Sequence, residues 1–265
     1  MPIVYACIAP HGGHLLLGPD EPTPVPQCRA AMAEMEQEMR TARPDVIAIL
    51  TPHGIHVEGR MTIGVTERAR GELDGVTVDV ATDLELASAW AYRAAEHDIP
   101  VAPLAAREPD AALPLDWGVT IPLALLTPGL DPIPPAVVVC PARDLSRPQL
   151  VAWGEALVEA AEDLGRRVAL IVSADQGHGH AEDGPYGFAP ESALYDRQMI
   201  DAVKANDLPR LLDWPEDFAE TALADSYWQT LSLVGVQKHV PMQSRFLAYE
   251  VDHYFGLMCA SFMPT

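Results

Sequence analysis

Val168-Ala169-Leu170-Ile171-Val172-Ser173-Ala174-Asp175-Gln176-Gly177-His178 joins an unbroken apolar run to a polar turn carrying glycine and histidine. A short run rich in β-branched residues reads as a strand buried on both faces, the pattern of a parallel sheet covered by helices. Ile3 to Ala9, Val46 to Leu50 and Ala136 to Cys140 have the same character. Helical patterns separate them. Ser146 and Gln149 form a capping box with Pro148 near the helix start. Leu150, Trp153, Leu157, Ala161 and Leu164 then recur at helical spacing, and Gly165 supplies the stop. Residues 28–43 and 83–96 also read as helices, as does the stretch after Pro190 marked by Tyr195, Met199 and Val203. The alternating segment 56–80 predicts added strands at one sheet edge. The expected fold is α/β, a single domain over 1–265 with a mainly parallel central sheet flanked by helices.

Three of these strands end in histidine. Pro10-His11-Gly12 follows the first, Pro52-His53-Gly54 the second, and His178 the fourth. Ligands and chemistry gather at the carboxyl ends of parallel strands. Proline ends the ladder, and a following glycine is expected to let the backbone turn sharply. Three imidazoles at one edge point to a metal or an acid–base site. The proline-rich segment 18–26 directly after His11 is placed to wall a pocket.

Composition narrows the partners. The 265 residues carry 38 acidic and 17 basic side chains, a formal net charge of −21, which argues against nucleic acid and anionic membranes. No apolar window is long enough to span a bilayer. The N-terminus has no basic, signal-like region, and Cys7, Cys28, Cys140 and Cys259 are scattered without metal-site spacing. Reduced, packed thiols and a cytoplasmic location are expected.

Taken in order, Pro10-His11-Gly12, Pro52-His53-Gly54, Asp116-Trp117-Gly118 followed by Pro122-Leu123, and Ser173 to His178 resemble the class III extradiol ring-cleavage dioxygenases. The chain is similar to the β-subunit of protocatechuate 4,5-dioxygenase and to the related Memo-like proteins. The resemblance runs nearly the whole length, to Phe246-Leu247-Ala248-Tyr249-Glu250. It implies a class III extradiol dioxygenase-like fold and a non-haem Fe(II), with zinc or another divalent metal as the alternative. His11 and His53 match the histidine ligands and Asp225 the carboxylate, with Glu220 in reserve. His178 matches the catalytic acid/base. Two departures stand out: aspartate where the family more often has glutamate, and Trp117 where many relatives have histidine. An indole donates one hydrogen bond but cannot carry a proton.

The implied activity is an oxidoreductase of aromatic compound catabolism, cleaving a catechol-type ring with O2 to a semialdehyde. Two imidazoles and a carboxylate on one face leave three positions, two for adjacent catechol oxygens and one for O2. His14, His56, Trp117 and His180 are candidates for substrate contact or for supporting the ligands, Asp175 for orienting a histidine, Tyr186 for reaching a substrate oxygen, and Asp252-His253 for a further ligand. The alternatives are a Memo-like metal-binding protein or a non-catalytic partner subunit, and a zinc enzyme activating water. A homo-oligomer is the default expectation, with a separate partner subunit the other arrangement.

Overall fold

The computed structural model describes residues 1–18, 21–108 and 111–265. Its eleven described strands are β1 (Ile3–Ala9), β2 (Val46–Leu50), β3 (Met61–Gly64), β4 (Arg68–Leu73), β5 (Val76–Ala81), β6 (Val101–Leu104), β7 (Leu113–Pro114), β8 (Ala136–Cys140), β9 (Val168–Ser173), β10 (Met242–Asp252) and β11 (Phe255–Pro264). The helices are α1 (Pro26–Ala42), α2 (Leu84–Glu96), α3 (Trp117–Leu126), α4 (Arg147–Leu164), α5 (Pro190–Lys204), α6 (Phe218–Thr221) and α7 (Tyr227–His239), with short 3-10 turns at Gly13–Leu16 and Leu208–Asp213. Eight strands form one sheet in the order β10-β11-β1-β9-β2-β8-β3-β6.

The expected parallel sheet is its centre. β1, β9, β2 and β8 run parallel, with Ile8 opposite Val172 and Leu50 opposite Val172 from the other side. The outer strands are mixed: β11 is antiparallel to β1 and to β10, and β3 is antiparallel to β8. The prediction for 56–80 holds in part. β3 enters the large sheet between β8 and β6, while β4 and β5 leave it and form a small sheet with β7. Alternation records one buried face, and either sheet satisfies it.

Alternate residues of the central strands face two cores. Ile3, Ala6, Ile8, Val46, Ala48, Leu50, Leu170 and Val172 pack under α2, α4, α5 and α7. Tyr5, Cys7, Ala9, Ile47, Ile49, Ala169 and Ile171 pack under α1 and α3. Helix ends follow the sequence signals. Asp83 caps α2 by accepting the Leu86 N–H at 2.9 Å, the Ser146 N–H donates to Gln149 Oε1 at 3.1 Å, and Gly165 stops α4 at φ 63°. α7 lies deep because Gly154 of α4 sits against the Ser232 carbonyl and Gly235 of α7 against the Val151 carbonyl. A Cβ at either position would overlap backbone, so the two helices cross at backbone distance. That crossing fixes the head of α7, where Asp225 and Ser226 stand, over the carboxyl ends of β1, β9 and β2.

Residues 19 and 20 of the proline-rich segment lie outside the described residues. The rest of it does not line either cavity at the histidines; Arg29 ties it down by donating to the Gly18 and Glu21 carbonyls at 3.0 and 3.4 Å.

Candidate metal centre

The neighbouring strands β1, β9 and β2 deliver His11, His178 and His53 to one edge. His11 Nε2 and His53 Nε2 lie 3.0 Å apart. Asp225 Oδ2, from the turn that leads into α7, lies 3.4 Å from the first and 3.1 Å from the second. Ligand atoms about 2.1 Å from a shared ion stand about 3.0 Å apart on an octahedral face and about 3.4 Å apart in a tetrahedron. The observed triangle spans that range. Among the described residues, these three form the cluster of ligand-type side chains spaced to hold a metal ion. Glu220, exposed on α6, is not part of it.

The hydrogen bonds behind the triangle set its donor atoms. Ser173 Oγ donates to the Gly118 carbonyl and lies 2.9 Å from His11 Nδ1. Its single proton is spent, so it accepts the Nδ1–H of His11, leaving the lone pair on Nε2. His178 Nδ1 donates to the Gln176 carbonyl at 2.8 Å, which leaves its Nε2 as the acceptor, 3.9 Å from Asp225 Oδ2. Asp225 Oδ1 accepts the Asp175 N–H at 3.0 Å, and Gln229 Nε2 donates to the Asp225 carbonyl at 2.6 Å. Asp225 Oδ2 is buried with no hydrogen-bond partner. A buried carboxylate oxygen left unpaired beside two imidazole nitrogens is costly unless a cation lies between them. The residues therefore fit a divalent metal.

Charge in the triangle reinforces this. Burial opposes protonation of His11, but the carboxylates of Asp175 and Asp225 outweigh it and push its pKa up to about 9. Burial likewise works against ionised Asp225, yet His11 beside it holds the carboxyl well below its usual range. Asp175 is raised, by burial first and by the Asp225 charge. Its Oδ1 accepts the His11 N–H at 2.9 Å, so it braces the backbone of that histidine. Without metal, a proton takes the place of the cation.

His53 is held differently. Thr51 Oγ1 accepts its N–H at 3.2 Å and donates to Asp116 Oδ1 at 2.8 Å. Trp117, at the start of α3 and 48 % exposed, stacks on the imidazole with ring centres 4.2 Å apart. Gly118 is needed because a Cβ there would lie 2.7 Å from Thr51 Oγ1 and 3.3 Å from the His53 ring. The expectation for the Pro-His-Gly turns needs correction. Gly12 has an ordinary φ of −64°, and Gly54 is not among the positive-φ residues. Both are small for lack of room: a Cβ on Gly12 would sit 3.1 Å from the Phe255 ring, and one on Gly54 3.0 Å from Cys140 Cβ.

Two cavities of about 300 Å³ meet at the triangle. One is walled by Trp117, Ile121, Tyr186, Tyr254 and Phe255. The other is walled by Arg143, Glu220, Leu223, Tyr186 and Trp228. His53 and His178 line both. The remaining candidates stand apart from the triangle. His14 Nδ1 donates to Asp252 Oδ2 at 2.6 Å, His56 hydrogen-bonds the Pro52 carbonyl at 2.9 Å, and His180 Nε2 donates to Asp196 Oδ2 at 2.8 Å. His253 pairs with Asp183 on the surface. Sequence reasoning missed the roles of Ser173, Thr51, Gln176 and Phe255, the last stacked on His178 at 5.5 Å. A serine or threonine at the end of a buried strand is the signal available for the first two, whereas Gln176 acts through its backbone carbonyl, which no residue type marks.

The family model described as the catalytic LigB subunit of aromatic ring-opening dioxygenase matches residues 5–253. The chain belongs to that family. The match encloses all three corners of the triangle and His178. This LigB-family chain is also 22% identical over 215 residues to protein CA_C1420 of Clostridium acetobutylicum, over 78% of this chain and 46% of that protein. It thus spans about half the length of that curated relative. The fold is similar to the crystal structure of the uncharacterized protein JW3007 from Escherichia coli K12, with a TM-score of 0.65 and 14% identity, over 98% of this chain and 99% of that one. Among the described residues, no helix is long and apolar enough to cross a membrane.

Proposed function

We propose that the chain is an Fe(II)-dependent extradiol dioxygenase that opens a catechol-type ring with O2. The observation that carries this reading is the partnerless Asp225 Oδ2 facing the Nε2 atoms of His11 and His53, with His178 Nε2 beside it. Fe(II) held by these three residues would supply the redox route between a chelated diol and O2. The protein's own part is to bind, orient and move protons. The aromatic walls formed by Trp117, Tyr254 and Phe255 suit a flat ring. His178, with Nδ1–H engaged by the Gln176 carbonyl, offers Nε2 to take a proton from a substrate hydroxyl and return it later. General acid–base help of this kind is worth about 10²–10⁴ in rate.

The test is oxygen uptake by protein loaded anaerobically with Fe(II), across a panel of substituted catechols. Stoichiometric uptake with appearance of a ring-opened chromophore is expected. Absence of turnover across the panel refutes the reading. His11→Ala and His53→Ala should abolish metal binding, and His178→Ala should retain metal and lose most turnover. A second reading rests on Trp117, which puts an indole where many relatives have an imidazole: a metal-binding, Memo-like protein or non-catalytic partner subunit. Tight metal binding without oxygen chemistry, or activity only with a second chain, selects it.

A further inference from the structure

One face of α5 holds the loop that carries His178. Ser192 and Asp196 stand one helical turn apart, 0 % and 1 % exposed. Asp196 Oδ1 accepts the Gly177 N–H at 2.7 Å, and Ser192 Oγ accepts the Gly179 N–H at 2.9 Å. These are the two amides either side of His178. The loop is pressed onto the helix: a Cβ on Gly177 would lie 2.6 Å from Ser192 Cβ, and one on Gly179 2.6 Å from Ala189 Cβ. Asp196 Oδ2 also accepts from His180 Nε2 at 2.8 Å and from the Tyr249 hydroxyl at 2.5 Å. The Ser192 hydroxyl donates to the Ala222 carbonyl at 2.7 Å, in the turn that leads to Asp225.

A buried carboxylate is expensive to maintain, and Asp196 touches neither the triangle nor its cavities. What it does touch is the backbone that aims His178. We propose that Ser192 and Asp196 are positioning residues for the proton carrier, fixing the two flanking amides so that His178 Nε2 faces the reacting group. Ser192 additionally ties this loop to the turn bearing the carboxylate ligand. The proton-carrier role rests on the dioxygenase reading; the clamp itself is a matter of hydrogen bonds.

The two residues then have different signatures. Asp196→Leu frees the His178 side alone, so kcat should fall about 10²-fold, the scale of a misplacement near 1 Å. KM and Zn(II) affinity should stay as in the wild type. Asp196→Asn should restore most of kcat, because its Oδ1 still accepts the Gly177 N–H while its amide donates to the Tyr249 oxygen and to His180 Nε2, which accepts once its proton sits on Nδ1. Ser192→Ala releases both loops and should weaken Zn(II) binding as well as kcat. Amide exchange of Gly177 and Gly179, followed by NMR on the Zn(II) protein, gives a readout independent of turnover. Faster exchange at Gly177 in Asp196→Leu, with Zn(II) affinity retained, supports the clamp. Unchanged exchange at Gly177 overturns it, as does a parallel loss of Zn(II) affinity in Asp196→Leu. If the wild type cleaves no catechol, the dioxygenase reading fails by itself, and exchange and Zn(II) affinity still decide the clamp.

Discussion

Replacing Ser173 with alanine perturbs the centre where it is most deeply buried. Ser173 is fully enclosed, takes the Nδ1 proton of His11 at 2.9 Å and gives its own to the Gly118 carbonyl. Alanine leaves both partners without a match. Each buried polar group left unpaired costs about 1–3 kcal/mol. His11, which carries both ring protons below about pH 9 in the metal-free protein, escapes part of its share by shedding the Nδ1 proton and keeping the one on Nε2, beside Asp225. Binding a metal at Nε2 then requires a proton back on Nδ1, and that cost falls on affinity. The expected loss is about 10–100-fold in Zn(II) binding, the range for removing a group hydrogen-bonded behind a ligating imidazole. Competition against a chromophoric chelator measures it, with denaturant unfolding of the metal-free protein run in parallel. Lower stability with unchanged Zn(II) affinity would refute the argument, because the hydroxyl would then merely fill space.

Metal binding should be linked to protons. His11 is raised to about 9 in the metal-free protein, so its proton stabilises the fold below the ordinary value of 6.5, and that contribution is lost as pH climbs through about 9. Asp225 is depressed, so its contribution is present above its ordinary 3.8 and disappears as the carboxyl is protonated in strong acid. A metal must displace the His11 proton, so affinity should rise about tenfold per pH unit around neutrality and level off above about 9; calorimetry showing no proton release at pH 7 would contradict this. Trp117→Ala should weaken Zn(II) binding about 2–12-fold through loss of a stack worth about 0.5–1.5 kcal/mol, and Trp117→Phe should preserve it. Equal affinities for all three proteins would remove the indole from the account. All four cysteines are buried, and burial with Asp116 nearby pushes the Cys140 thiol up to about 12. A thiol-reactive disulfide at pH 8 should therefore label the denatured chain and spare the native one; prompt native labelling would mean the strands carrying these thiols open readily.

The central sheet was readable because β1, β2, β8 and β9 are buried on both faces and carry no alternation to mislead. His11, His53 and His178 were readable for a related reason: where a buried strand stops, the next polar side chain is at the parallel edge. The outer sheet was not. Met61 to Ala81 alternates in the same way whether it joins the large sheet or a small one, and long-range pairing makes that choice. Asp225 could be placed only by resemblance, since Glu220 and Asp225 look alike in sequence. What separates them is the α4–α7 crossing at Gly154 and Gly235, which sets the head of α7 above β9. The α5 clamp was invisible for the same reason. Ser192 and Asp196 acquire meaning only from the amides that fold onto them.

The position of β1 between β9 and β11 has a consequence for how the protein matures. β1 pairs on one side with β9 and on the other with β11, where Ala6 stands opposite Phe262. His11 reaches Asp175 across 164 positions of chain. Closing such long loops is slow and comes late in folding. A ribosome-bound chain that has not yet made β9 has His11 and His53 but no neighbouring strand to hold them together. A metal site built from these histidines would therefore be completed only once β9 has formed between the two strands that carry them.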